Sequence, residues 1–100
     1  MDKLYNNLKK IKMFLTDVDG VLTNGKIILD NNGNEIKFFD VKDGHGIKML
    51  HRYGITVGFV TGRESKVVLN RAKELGVNII YQKVRIKLDV VEKILKEYNL

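Results

Sequence analysis

Two carboxylates one residue apart, Asp17 and Asp19, end an apolar run and stand directly before Gly20. The surrounding string, residues 12–23, reads KMFLTDVDGVLT. In an extended chain residues i and i+2 point the same way, so Asp17 and Asp19 converge at a strand end. Two like charges held together are costly unless a cation or a shared proton compensates. Three uses follow: one carboxylate as nucleophile, one as acid and base, and both helping to hold a hard cation such as Mg2+. The same residues also make an ordinary strand end with a polar turn, since Asp and Gly are common turn residues.

A second group lies downstream. Residues 55–60, ITVGFV, form a continuous apolar run suited to a strand buried on both faces, and the run enters Thr61-Gly62-Arg63. A strand that ends in Thr-Gly and feeds a helix suits phosphate. The hydroxyl and the next backbone N–H groups can meet on one anion, and a helix N-terminus favours negative charge. Arg63 could add a charge-assisted contact to an acidic sugar. Lys87 opens the last helical pattern, where the helix dipole disfavours a cation, and a bound phosphate would account for it.

The elements that must position these residues alternate. A short helix over residues 2–10 carries Leu4, Leu8 and Ile11 at helical spacing, with Asp2 as its cap. The first strand covers residues 12–17. Residues 25–40 read as a β-hairpin: apolar runs at 27–29 and 36–39 flank Asp30-Asn31-Asn32-Gly33-Asn34. Isolated hairpins are marginal in water, so something should cover Ile27, Leu29, Ile36, Phe38 and Phe39. Residues 41–53 make a helix with Asp43 as N-cap and with Ile47, Met49 and Leu50 inward, ended by Gly54. His51 falls in mid-helix, as a structural or exposed residue. A helix over 64–75 turns Val67, Val68, Ala72 and Leu75 inward and ends at Gly76. Residues 77–81 form a third parallel strand. A loop covers 82–86, and a helix over 87–98 carries Leu88, Val91, Ile94 and Leu95 on one face.

Composition narrows the classes. One hundred residues suit one domain, and 44% apolar with 30% charged residues suits a folded core. With no cysteine there is no disulfide framework, thiolate metal site or cysteine nucleophile. No apolar run reaches the roughly 18 residues of a membrane span, and the first ten residues lack a signal-peptide core. The net charge of +6 rests partly on Lys9, Lys10 and Lys12 and on Lys83, Arg85 and Lys87, read mostly as solvated surface. No zinc-finger spacing, RNA-binding aromatic signature or long basic helix accompanies them, so nucleic acid is not the expected partner.

DVDGVLT at residues 17–23 resembles the first motif, DxDxT/V, of the haloacid dehalogenase superfamily of phosphohydrolases. The VLT form, with a glycine-containing turn after it, resembles one branch, the 3-deoxy-D-manno-octulosonate 8-phosphate (KDO 8-phosphate) phosphatases. DGHGIKML from Asp43, TGR at 61–63 and YQKVRIK at 81–87 are similar to later stretches of that branch. The resemblance runs from about Ile11 to about Leu95. It implies a three-layer α/β Rossmann-like domain over residues 1–100, a parallel sheet with an inserted hairpin. It further implies a Mg2+-dependent phosphatase of a sugar phosphate in lipopolysaccharide biosynthesis, cytoplasmic and tetrameric, whose inserted hairpins pack together over neighbouring sites.

By that resemblance Asp17 is the nucleophile and Asp19 the acid and base. Thr61, Gly62, Arg63 and Lys87 bind the phosphate or substrate, and Asp17 with the backbone carbonyl of Asp19 holds Mg2+. His45 is not the proton shuttle of the family. Lys83 stands where the branch usually has glycine. The chain stops at Asn99-Leu100, before the strand that carries a fourth, acidic motif in the superfamily. The expectation is therefore a C-terminally truncated fold with a weakened metal site and with residues 13–16 on an apolar sheet edge. The alternative is a catalytically impaired relative, serving as an oligomerisation or phosphate-binding module. Domains attached to sialic-acid-activating enzymes share these motifs, which leaves the sugar acid open.

Overall fold

Period-two and period-3.6 patterns in the sequence become strands and helices in the computed structural model, which describes residues 2–100 except the side chains of Asp2, Leu4, Tyr5 and Leu8. The elements run α1 (Asp2–Lys9), β1 (Met13–Thr16), β2 (Ile28–Leu29), β3 (Glu35–Ile36), α2 (Val41–Arg52), β4 (Thr56–Val60), α3 (Lys66–Leu75), β5 (Ile79–Tyr81) and α4 (Lys87–Glu97). The expected packing of Leu4 and Leu8, and the cap by Asp2, lie outside the described residues.

The main sheet is parallel, in the order β1-β4-β5. Phe14 pairs with Val57 and Thr16 with Phe59, while Gly58 pairs with Ile79. β4 is central because it is apolar on both faces. On one face Val57 and Phe59 join Val18, Ile47, Val68, Ala72, Leu75 and Val77, which belong to the β1 loop, α2, α3 and the approach to β5. On the other, Val60 and Ile79 meet Ile94 of α4, with Met13, Leu15 and Val90 packed alongside. These two cores make three layers. Gly58 has no side chain because none fits: a Cβ there would lie 2.7 Å from Leu15 Cδ2 and 2.9 Å from Ile79 Cγ2.

Several expectations shift. The N-cap of α2 is Asp40, whose Oδ1 accepts from Lys42 N at 2.8 Å; Asp43 sits in the first turn instead. Met49 is 41% exposed, because helical spacing from Ile47 carries it away from the core. α3 begins at Lys66 rather than Glu64, capped by Ser65. It ends on Gly76 at φ 73, the left-handed position that glycine takes without penalty. On α4, Leu88 is 64% exposed and Val90 packs in its place. β1 lies at one edge of the sheet as expected, with Phe14 exposed.

The hairpin β2–β3 pairs Ile28 with Ile36 and Leu29 with Glu35. Its ladder is shorter than the apolar runs suggest, and a single bridge between Thr23 and Phe39 closes its base. Asp30 fixes the turn by accepting from Asn32 N and Asn34 N, each at 2.9 Å. Those backbone bonds, Asn34 first, hold its carboxyl below the usual range.

Candidate active site

Asp17 and Asp19 lie just past β1, and the alternation that joins them sends Val18 between them into the core, fully buried. The Val18 carbonyl then accepts from Leu22 N at 2.8 Å, which bends the chain away from the strand end. Both carboxylates are half-buried, and each meets its own lysine. Lys87 Nζ lies 2.9 Å from Asp17 Oδ2, and Lys37 Nζ lies 2.5 Å from Asp19 Oδ1. The repulsion expected of a bare Asp-x-Asp pair is thus offset by two cations from different elements, α4 and the hairpin.

Asp17 also accepts from Val18 N at 2.7 Å through Oδ1. Burial pushes its carboxyl upward, but Lys87, the Val18 N–H and the Thr61 hydroxyl together hold it below the usual range. Thr61 is 2% exposed and follows β4 directly. Its N–H donates to the Tyr81 carbonyl at 2.9 Å and its carbonyl accepts from Val84 N at 3.0 Å, which ties the two neighbouring loops together. Asp17, Thr61 and Lys87 therefore meet at one point, at the C-terminal ends of parallel strands, where α/β folds bind ligands. Gly62 is exposed beside them. The N-cap of α4 is Ile86, which makes no side-chain cap hydrogen bond, so the first N–H groups of the helix have no such partner.

Arg63 pairs with Glu35 of the hairpin at 3.1 Å. Glu35 also accepts from the Ser65 hydroxyl at 2.6 Å and faces Lys37 at 3.5 Å. Gln82 grips the Ser65 backbone from the other side, accepting from its N–H and donating to its carbonyl, both at 3.0 Å. Glu35, Lys37, Ser65 and Gln82 were not among the residues read as functional. The signal was in the hairpin: Glu35, Lys37 and Phe39 turn inward while Ile36 and Phe38 face solvent, so the charged phase of the alternation is the buried one.

Lys83 takes φ 55, a left-handed conformation that suits glycine, and pairs with Glu64 at 2.9 Å on the exposed rim. The loop keeps the shape a glycine would give it. His45 is exposed on α2 and His51 is half-buried.

Asp17 and Asp19 offer hard oxygen donors, the type Mg2+ selects. Among the described residues no cluster of three or more His, Cys, Asp or Glu side chains joins them. The pair fits a cation that keeps most of its water.

No family model matches the chain. Curated sequences do. The 3-deoxy-D-manno-octulosonate 8-phosphate phosphatase KdsC of Escherichia coli K12 is 41% identical over 90 residues, 86% of this chain and 48% of the relative. The chain is a homologue of the KDO 8-phosphate phosphatases, a branch of the haloacid dehalogenase superfamily. Solved KDO 8-phosphate phosphatases agree. That of Moraxella catarrhalis, in complex with magnesium, phosphate and KDO, superposes with TM-score 0.93 at 41% identity over all of this chain and 57% of its own. The cobalt-bound enzyme of Haemophilus influenzae gives TM-score 0.86 at 39% identity, over 93% of this chain and 54% of its own. The chain therefore spans about half the length of the phosphatases it matches. Among the described residues no helix is long and apolar enough to cross a membrane.

Proposed function

We propose that the chain is a Mg2+-dependent phosphomonoesterase of a sugar phosphate, with KDO 8-phosphate as the substrate to test first. The observation that carries this reading is the meeting of Asp17 with Lys87 and the Thr61 hydroxyl, beside a second carboxylate, Asp19.

In this reading Asp17 attacks phosphorus and the sugar oxygen leaves, giving an aspartyl-phosphate. Asp19 gives a proton to the leaving oxygen, then takes one from the water that opens the acyl phosphate. Lys87 and Thr61 stabilise charge on the transferring group, with the Gly62 backbone beside them. Arg63, held by Glu35, reaches for the acid of the sugar. Mg2+, held by Asp17 and the backbone carbonyl of Asp19, would supply positive charge to the phosphoryl oxygens.

The proposal includes a cytoplasmic homotetramer assembled through the hairpin, whose Ile27, Leu29, Ile36 and Phe38 are exposed. Large exposed apolar patches mark interaction surfaces. A second reading is a phosphate-binding or oligomerisation module without turnover. It draws on the finding that, among the described residues, no group of three or more His, Cys, Asp or Glu side chains is placed to hold a metal ion.

Phosphate release from KDO 8-phosphate and from an aryl phosphate, with and without Mg2+ and beside Asp17→Asn, decides between them. Mg2+-dependent release abolished by the substitution is the expected result. A folded chain that releases none from either substrate defeats the enzyme reading and leaves the module.

A further inference from the structure

The Lys37 side chain is 1% exposed, yet it carries an ammonium group and comes from a hairpin at the surface. A buried ammonium is costly unless it is paired and hydrogen-bonded. Here it lies 2.5 Å from Asp19 Oδ1 and 3.5 Å from Glu35 Oε1. Glu35 is itself fixed by the Ser65 hydroxyl at 2.6 Å and by Arg63 at 3.1 Å, and Ser65 caps α3. The chain of contacts runs from the phosphate-loop side of the site, through the hairpin, back to Asp19. Nothing in Lys87 duplicates it, because Lys87 pairs with Asp17.

We propose that Lys37 is a positioning residue for Asp19, delivered by the docked hairpin, and that it sets which carboxylate oxygen meets the leaving group. The inference rests on the phosphatase reading and adds to it. The ammonium holds Oδ1 and so fixes the plane of the carboxyl, which leaves Oδ2 as the oxygen turned to the departing sugar oxygen. Without Lys37 the carboxyl rotates freely, and proton delivery is mistimed. Phosphorus attack by Asp17 does not need this delivery when the leaving group is already a stable anion. Lys37 therefore matters for an alkoxide leaving group and little for an acidic phenol.

The test compares the wild-type chain, Lys37→Met and Asp19→Asn on a sugar phosphate and on an aryl phosphate with an acidic phenol. In Lys37→Met the first-turnover rate of leaving-group release should fall on the order of 100-fold for the sugar phosphate and change less than about threefold for the aryl phosphate, the pattern of lost general-acid catalysis. Asp19→Asn should show the same selectivity in that first turnover while losing steady-state turnover on both substrates, because Asp19 also activates the water, and adding Lys37→Met to it should cost no further selective loss. Lys37→Gln, which keeps a donor, should fall between. If circular dichroism shows Lys37→Met unfolded, Lys37→Gln decides by the same ratio. Equal loss on both substrates, or no loss, overturns the inference and leaves the phosphatase reading standing. No turnover by the wild-type chain on either substrate overturns both.

Discussion

Lys87 Nζ lies 2.9 Å from Asp17 Oδ2, so the cation at the head of α4 and the acid at the mouth of β1 form one unit. The helix dipole disfavours a lysine at this position. A bound phosphate is not needed to account for it, because Asp17 compensates the charge within the chain. The same pairing holds Asp17 ionised, the state a nucleophile requires. When an anion arrives, Lys87 has to serve both groups.

Lys87→Met should lower phosphate release by about 100-fold or more, the range seen when one preorganised charge-stabilising donor is lost. The fold should survive, because the Lys87 side chain is nearly half exposed. Steady-state kinetics beside a thermal melt checks both parts. An active variant would remove Lys87 from the site.

The pH dependence of stability follows from the lowered Asp17 carboxyl. A group held lower in the folded chain than in the unfolded one stabilises the fold above its unfolded value, here 3.8, and the gain is lost as pH falls through the folded value. Thermal melts of the metal-free chain should therefore show a drop in midpoint below about pH 4 that is smaller in Asp17→Asn. Identical acid limbs would show that the pairing with Lys87 adds nothing to stability.

Gly58→Ala should destabilise the sheet by about 1–3 kcal/mol, the usual cost of overpacking a core. The new methyl would press on Leu15 and Ile79, which flank Gly58 on the two neighbouring strands. Urea titration measures it, and an unchanged midpoint would show that β1 and β5 separate at no cost.

Phe38→Asp should reduce self-association. Phe38 is 63% exposed and turns away from the buried phase that holds Lys37. Light scattering on both proteins, with Mg2+ present, should give the smaller species for the variant. Equal masses would place the assembly surface elsewhere than the outer face of the hairpin.

The placing of the candidate site residues was legible because they follow strand ends. Asp17 and Asp19 sit past β1, Thr61 past β4 and Lys87 at the start of α4, positions that hydrophobic periodicity locates without a structure. Caps were less legible. Asp40 and Asp43 are both good N-cap types, and local propensity does not choose between them; the observed start at Val41 does. Met49 and Leu88 lie beside core positions on their helices, and a shift of the inward stripe by about one residue exposes each of them.

The hairpin divides what the chain encodes locally from what folding decides. Its turn is written in Asp30 and Gly33, and its strands in the apolar runs. Its inward face is not, because local patterning predicts apolar residues inside and here Glu35 and Lys37 are inside. That inversion is stable only because Asp19, Ser65 and Arg63 wait at the docking surface, and they come from segments far apart in the chain. The sequence by itself determined the alternation of strands and helices, the paired carboxylates and the Thr61-Gly62-Arg63 loop at the end of β4, since each is set by neighbours within a few residues. Only the tertiary structure decided that each carboxylate has its own lysine, because ion pairing depends on distance in space and carries no periodic signature along the chain.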